Sequence, residues 1–345
     1  MGLWIIKRQI ASLKYKMKTI RSSWFPFLVG IIFFAAILSK TLFPSVKKEK
    51  EMPANEKVQW HAPDINLVAQ TQEGDMIRYG RELIVNTSKY FGPKGIVAPI
   101  TNGMNCQNCH IEAGTKAFGN SFSAVASTYP KYRDRSGRME SIEFRINDCM
   151  MRSLNGKAID SAGKEMKAML AYFKWIGKDV KHGEKPFGSG LAQLSYLDRA
   201  ADPQKGKIIF QSKCQRCHGA NGEGVVDVDG IGYKYPPLWG ENSYNNSAGI
   251  YRISSLAPFI KYNMPFDQTQ LSPQLTDEEA WDLAAFISSQ SRPEKKFPED
   301  WPKIETKPVD FPFGPYADGF SEQQHKYGPF IPIKESREKK QMDRK

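Results

Sequence analysis

The peptides CQNCH at 106–110 and CQRCHG at 214–219 decide how this 345-residue chain is interpreted. In each, two cysteines two residues apart are followed at once by a histidine. Two such thiols can each form a thioether to one vinyl group of a porphyrin, and the next residue then presents its imidazole to the iron. We therefore predict two covalently bound haem c groups. Their predicted attachment cysteines and proximal iron ligands are Cys106, Cys109 and His110 for the first, and Cys214, Cys217 and His218 for the second.

The sequence around the two motifs repeats one plan. A helix-like stretch precedes each motif, at 76–91 and at 203–213, and an amphipathic helix closes each repeat, at 163–177 and at 276–290. Thr276 is typical of an N-cap, and apolar residues then recur at helical spacing. Strand-like alternation is scarce. The predicted fold is mainly α, with two tandem domains that resemble class I cytochromes c after an N-terminal transmembrane helix.

The N-terminus has the composition of an export segment. Residues 1–23 contain six lysines and arginines and no acid, and residues 24–39 are apolar and uncharged. This run is at the short end for a membrane span, so we predict an anchor over 24–43. The resemblance to c-type cytochromes implies that haem is attached outside the cytoplasm, so the domains that follow are expected in the periplasm. The alternative is a signal peptide that is cleaved to release a periplasmic protein.

The remaining boundaries follow from composition. The predicted segments are a basic cytoplasmic leader (1–23), the anchor (24–43), a linker (44–60), a first cytochrome c domain (61–190), a second (191–292) and a proline- and aromatic-rich C-terminal strap (293–345). The formal net charge is +12, but no nucleic-acid motif is present and no nucleic-acid partner is predicted. The histidines outside the two motifs are expected to be solvated: His61, His182 and His325.

Each six-coordinate haem needs a distal ligand. In the second domain, Met264 in the tripeptide NMP follows His218 by 46 residues, and the resemblance to class I cytochromes implies that it is this ligand. The first domain has instead a predicted helix over 141–155 that carries Cys149. Its residues alone leave three interpretations open: a buried apolar thiol, a thiolate on the first iron, or ligation by a neighbouring methionine, Met150 or Met151.

The segment ESIEFRINDCMMRSLNG at 140–156 carries a family resemblance. Two C-x-x-C-H motifs with E-x-R-I-N-x-C-x-x-R-S-x-N-G between them resemble the tetrathionate-forming thiosulfate dehydrogenases, which are diheme cytochromes c, over about residues 75–320. The resemblance implies that Cys149 is the distal ligand and nucleophile of the catalytic haem. It also implies that the substrate-binding residues are Arg135, Arg145 and Ser153. Asn263 stands before Met264 where a lysine could occur, so a lysine–methionine ligand exchange is not expected.

This resemblance implies oxidation of two thiosulfate ions to tetrathionate, and the same residues would serve tetrathionate reduction. Thiolate ligation should lower the first haem potential and Met264 should raise the second. Electrons would then pass from the first haem to the second and on to an external cytochrome or other redox protein. The alternative is a non-catalytic, membrane-anchored diheme electron carrier of a respiratory complex, which needs methionine or histidine opposite each iron. A third is a Sox-type cytochrome that conjugates thiosulfate to a carrier protein.

Overall fold

A computed structural model describes residues 59–266 and 271–343 of the protein. These residues belong to one compact unit that runs from Val58 to Lys345. The predicted leader and anchor, 1–43, and nearly all of the predicted linker lie outside the described residues. Within the residues that are described, no helix combines the length and the apolar character needed to cross a bilayer.

Helices of the first half surround the first motif. They are α1 (Gln72–Val85), α2 (Thr87–Phe91), α3 (Ile111–Gly114), α4 (Val125–Thr128), α5 (Ile142–Arg152) and α6 (Lys164–Ile176). Thr71 caps α1 by accepting a hydrogen bond from the Gly74 N–H at 3.1 Å. Residues 76–91 belong to two helices, α1 and α2, which meet at Asn86, whereas the sequence predicted one continuous helix. Their apolar faces share one core, which includes Leu83, Phe91, Met150, Met166 and Tyr172.

The second half repeats the plan around the second motif. Its helices are α7 (Pro203–Lys213), α8 (Gln215–His218), α9 (Ile253–Asn263) and α10 (Asp277–Ser289). Thr276 caps α10 in a reciprocal capping box with Glu279, as the sequence predicted. A second core lies between these helices, built around Phe210, Trp281 and Leu283.

In both halves the first and last helices cross at a glycine. A Cβ placed on Gly80 of α1 would lie 2.0 Å from the Ala168 carbonyl oxygen of α6, and one on Gly206 of α7 would lie 2.0 Å from the Asp282 carbonyl oxygen of α10. No side chain fits at such an approach, so only glycine lets the paired helices pack this closely.

Strands contribute little to the described residues. Three short antiparallel pairs occur there. They join β1 (Gly119–Ser121) with β4 (Gly190–Leu191), β2 (Lys131–Arg133) with β3 (Arg138–Glu140), and β5 (Val225–Val226) with β6 (Tyr233–Tyr235). In the hairpin of β2 and β3, Arg133 pairs with Arg138, which places Arg135 in the connecting turn.

The C-terminal segment crosses the first half and then enters the second core. It contains α11 (Glu322–Tyr327) and α12 (Ile331–Met342), and Phe330 and Ile333 are buried in the second core. The expectation that His325 is solvated was wrong, because its side chain is fully buried. One ring nitrogen of His325 lies 2.7 Å from the Val309 carbonyl oxygen and the other 2.9 Å from Asp318 Oδ1. These two acceptors compensate the imidazole for the water it loses.

Candidate active site

The first C-x-x-C-H motif closes a single short turn. Cys106–Asn108 form a 3₁₀ turn, and the N–H groups of Cys109 and His110 both donate to the Cys106 carbonyl oxygen, at 3.2 and 3.0 Å. The side-chain oxygen of Asn105 accepts from the Ser88 N–H at 2.8 Å, which ties the turn to α2. The two thiols and the imidazole therefore emerge from one rigid place in the chain.

Both motif histidines are oriented by a backbone carbonyl. His110 Nδ1 lies 2.7 Å from the Asn120 carbonyl oxygen, and His218 Nδ1 lies 2.8 Å from the Pro236 carbonyl oxygen. Because a carbonyl accepts the Nδ1 proton, Nε2 is the nitrogen left to bind a metal. Burial lowers the pKa of His110 to about 4. Its ring is accordingly neutral, which is the form that ligates iron.

Helix α5 brings Cys149 to the first motif. Ser141 caps this helix by accepting from the Phe144 N–H at 3.3 Å. The pKa values of the Cys106 and Cys109 thiols are raised to about 12, chiefly by burial, with a smaller electrostatic contribution from Cys149 included in both values. Cys149 is thus close enough to both motif sulfurs to act on them electrostatically, although it lies far from them in sequence. No disulfide joins any two of the five cysteines.

Arg145 and Ser153 flank Cys149 along α5. Arg145 lies one turn before it, and the Cys149 sulfur is the largest cause that raises the pKa of the Arg145 guanidinium. Ser153 follows the last helical residue and donates its N–H to the Cys149 carbonyl oxygen at 2.8 Å. The helix ends at Arg152, earlier than the predicted end near Asn155. Arg145, Cys149 and Ser153 are spaced at i, i+4 and i+8.

Arg135 reaches the same region from the β2–β3 turn. Its Nη1 donates to the Ser247 carbonyl oxygen at 3.3 Å, and its Nε lies 4.0 Å from Asp300 Oδ2. Burial lowers the pKa of Arg135 to about 10, with Arg152 adding to the effect. The group remains positively charged at neutral pH. The two predicted substrate arginines therefore come from separate elements, a helix and a hairpin, into one electrostatic neighbourhood.

Three further charged residues link these arginines. Asp148 accepts from Arg145 Nη1 at 2.6 Å through Oδ2 and from Arg152 through Oδ1. Arg152 in turn binds Asp300 with two parallel hydrogen bonds, of 2.7 and 2.8 Å. The resulting series Arg145–Asp148–Arg152–Asp300–Arg135 alternates in charge and is mostly buried. Burial alone would raise the pKa of Asp148, but Arg145 and Arg152 outweigh it and lower the pKa.

The roles of Asp148, Arg152 and Asp300 were not predicted from the sequence. The sequence did contain a signal for Asp148 and Arg152, because an aspartate and an arginine at i and i+4 on a helix are neighbours. Asp300 had none, since it lies 148 residues from Arg152 in a segment interpreted only as aromatic-rich.

Met264 is the predicted distal ligand of the second site. Met264 follows α9 directly and packs, partly buried, against the second core, as Cys214 also does. Asn263 is buried and donates its side-chain amide to the Phe118 carbonyl oxygen at 3.2 Å and to the Phe259 carbonyl oxygen at 3.1 Å. The bond to Phe118 joins the end of α9 to the first half. The structure thus holds the chain just before Met264 at a fixed point, which suits a ligand residue.

The donor sets of both sites fit haem c. Each provides paired thiols two residues apart and an imidazole whose Nε2 is available. The predicted sulfur ligands, Cys149 and Met264, lie on α5 and directly after α9. Thiols attach the porphyrin covalently, and imidazole with a sulfur ligand is a common axial pair for its iron.

Comparison with known proteins assigns both halves. A model of the cytochrome c family matches residues 203–291, and a model of the SoxA/TsdA cytochrome c domain matches residues 98–181. The thiosulfate dehydrogenase of Psychrobacter arcticus is 37% identical over 243 residues, which cover 70% of this chain and 71% of that protein. The chain belongs to the thiosulfate dehydrogenase family. The enzyme of the same name from Allochromatium vinosum is 38% identical over 224 residues, 64% of this chain and 79% of that one.

A solved structure supports the same assignment. The thiosulfate dehydrogenase (TsdBA) from Marichromatium purpuratum, in its as-isolated form, matches with a TM-score of 0.63 at 30% identity. The match covers 73% of this chain and 52% of that one, so this chain spans about half the length of the solved chain. The predictions of a mainly helical fold with two cytochrome c domains, of two covalent haem c groups and of an oxidoreductase are confirmed. A c-type cytochrome of this kind lies on the extracytoplasmic side.

Proposed function

We propose that this thiosulfate dehydrogenase couples two thiosulfate ions to tetrathionate, with one ion carried on Cys149. The observation that supports the proposal is the position of Cys149. It lies one helical turn from Arg145, on a helix whose Ile146 and Met150 pack in the same core as Cys106. A thiol placed between an arginine and a haem attachment site has a chemical use that an apolar core thiol lacks.

Electrostatic repulsion is the main obstacle to the reaction. Two dianions about 5 Å apart repel by roughly 13 kcal/mol at an effective dielectric constant near 20. Arg135 and Arg145 would offset part of this repulsion, because a guanidinium binds the oxygens of an oxyanion through two parallel hydrogen bonds. Ser153, next to Cys149 on α5, would orient a sulfonate oxygen through its hydroxyl.

Covalent capture on Cys149 would remove more of the repulsion. The Cys149 thiolate and one thiosulfate form a sulfur–sulfur bond with loss of two electrons, and the adduct carries one negative charge. The sulfane sulfur of a second thiosulfate then attacks the sulfane sulfur of the adduct, which is the sulfur bonded to Cys149. The bond to Cys149 breaks, tetrathionate leaves with two negative charges, and the thiolate is restored. The second step brings together one dianion and one monoanion instead of two dianions.

The residues that would hold the haem iron are His110 and Cys149 in the first site and His218 and Met264 in the second. When bound, the two haem c groups supply the electron acceptors, and the electrons leave through the second site to an external redox protein. Binding of thiosulfate and formation of the sulfur–sulfur bonds would be carried out by side chains of this chain. Reduction of tetrathionate would use the same side chains in reverse.

A steady-state assay with thiosulfate and an artificial electron acceptor tests the proposal, and it should be run in both directions. Replacing Cys149 by glycine should abolish turnover while both haems remain attached, as measured by haem content per chain. Cys106→Ala is the control, because it removes one thioether and so separates a defect in haem attachment from loss of the nucleophile. Full activity in the Cys149→Gly protein would overturn the mechanism.

The N-terminal segment is proposed to anchor the protein. Residues 24–39 are apolar and uncharged and follow a basic leader, which favours a span over 24–43 with the haem domains in the periplasm. Membrane fractionation of the full chain tests this, together with mass spectrometry of the mature N-terminus. An N-terminus beyond residue 43 in a protein released from the membrane would overturn the anchor.

A further inference from the structure

The C-terminal segment contributes a carboxylate to the candidate active site. Asp300 binds Arg152 through both of its oxygens, at 2.7 and 2.8 Å, and the side chains of the two residues are only 13% and 7% exposed. Phe297, three residues before Asp300, stacks on the Arg152 guanidinium, with Arg152 Cζ 3.6 Å from the centre of the Phe297 ring. The segment is thus fitted to the end of α5 by both charge and packing.

Arg135 is held by the same segment. The Trp301 N–H donates to the Arg135 carbonyl oxygen at 2.6 Å, and the Trp301 ring lies 5.5 Å from the Arg135 guanidinium. Asp300 Oδ2, which already binds Arg152, also lies 4.0 Å from Arg135 Nε. Asp300 and Trp301 therefore fix both the backbone and the charged end of Arg135 from one point in the chain.

We propose that Asp300 is a positioning residue for thiosulfate oxidation, which acts by holding Arg135 and Arg152 in place. The inference rests on the proposed function, in which Arg135 binds substrate. Arg135 comes from a hairpin turn, and a turn alone does not fix a long side chain. Asp300 supplies that constraint, and through Arg152 and Asp148 it connects Arg135 with Arg145 on α5. The distance between the two substrate arginines is thereby set by a buried ion-pair series.

The series also sets the charge of the site. Within the series, three guanidinium groups and two carboxylates leave one net positive charge. Loss of the Asp300 charge would raise that value, which by itself would strengthen the binding of an anion. Loss of the fixed positions of Arg135 and Arg152 would weaken anion binding, because a bidentate contact depends on geometry. The two effects have opposite signs, so a measurement of substrate binding separates them.

The test compares Asp300→Asn with a matched control in the second half. Asp282 is also buried and also binds an arginine through both oxygens, Arg199 at 2.8 and 3.0 Å. Asp282→Asn therefore removes a similar ion pair away from Cys149. The measurements are kcat and KM for thiosulfate with the holoprotein, and the dissociation constant of thiosulfate for the fully reduced protein, which cannot oxidise it.

For Asp300→Asn we expect kcat/KM to fall at least tenfold and thiosulfate binding to weaken by a similar factor, with unchanged haem content. Asp282→Asn should stay within twofold of the wild type in both. Asp300→Glu, which keeps the charge, should recover part of the loss. The role of Asp300 would be overturned if kcat/KM and thiosulfate binding of Asp300→Asn stayed within twofold of the wild type, or if thiosulfate bound more tightly. Equal losses in Asp300→Asn and Asp282→Asn would overturn it as well. Absence of turnover in the wild type would overturn the proposed function, and the binding measurement would still decide the role of Asp300.

Discussion

Asn245 of the second half donates its side-chain amide to the Met151 carbonyl oxygen of α5 at 2.9 Å. The same amide donates to Asn155 Oδ1 at 3.0 Å, and the Asn245 N–H donates to the Arg152 carbonyl oxygen at 3.1 Å. These contacts satisfy carbonyl groups that the end of a helix leaves without partners. The helix that carries Cys149 is therefore completed by a residue from the other half of the molecule.

Replacing Asn245 by alanine should lower the free energy of unfolding by about 1–3 kcal/mol. The Asn155 side chain and the Ser247 N–H lose their partners, and the Met151 carbonyl oxygen keeps only the bond from Lys295. Urea denaturation measures the loss. The side chain of Asn246, the next residue, accepts from the Lys295 N–H at 3.0 Å. Asn246→Ala serves as the control and should have the smaller effect. An Asn245→Ala protein as stable as the wild type would show that α5 does not depend on this contact.

Arg145→Lys should reduce kcat/KM for thiosulfate, although the positive charge is kept. A lysine ammonium cannot bind two oxyanion oxygens in the planar arrangement of a guanidinium, and it cannot keep the 2.6 Å contact to Asp148 in the same geometry. We expect a loss of about tenfold or more, which corresponds to about 1.4 kcal/mol of transition-state stabilisation. Steady-state kinetics provide the measurement. Arg138→Lys is the control, since Arg138 is an exposed residue of the β2–β3 hairpin. Equal activities of the two variants would contradict a bidentate role for Arg145.

Met264→His should lower the reduction potential of the second haem, because histidine in place of methionine favours ferric iron. A spectroelectrochemical titration measures both potentials, and the first should stay unchanged. The rate of electron delivery to an external acceptor should fall with the second potential. Met342, an exposed methionine of α12, is a suitable control position. An unchanged second potential in Met264→His would show that another side chain binds that iron.

The predictable parts of this molecule were those set by local sequence. The α7 bounds and the Thr276 cap follow from spacing and capping within a few residues, and the structure has them as predicted. The break at Asn86 and the early end of α5 were not predicted, because packing around the first motif decides where these helices stop.

The placement of Asp300 beside Arg152 and the burial of His325 depend on the path of the C-terminal segment. No local pattern encodes that path. The assignment of Cys149, Arg135, Arg145, Ser153 and Met264 stays a prediction.

The pH dependence of stability can be predicted for the C-terminal segment. Asp318 accepts from Arg337 Nε and Nη2 at 3.0 and 2.8 Å and lies against His325. Burial alone would raise its pKa, but His325 and Arg337 outweigh burial and lower the pKa. A carboxylate with a lowered folded-state pKa stabilises the fold above its unfolded pKa of about 3.9, and the contribution is lost as the pH falls through the folded value.

Asp318→Asn should therefore cost about 3 kcal/mol at pH 7, and the difference from the wild type should shrink below about pH 4. Urea denaturation at a series of pH values measures this, with the exposed Asp75→Asn as control. A difference that stays constant down to the lowest pH would contradict a role for the Asp318 charge.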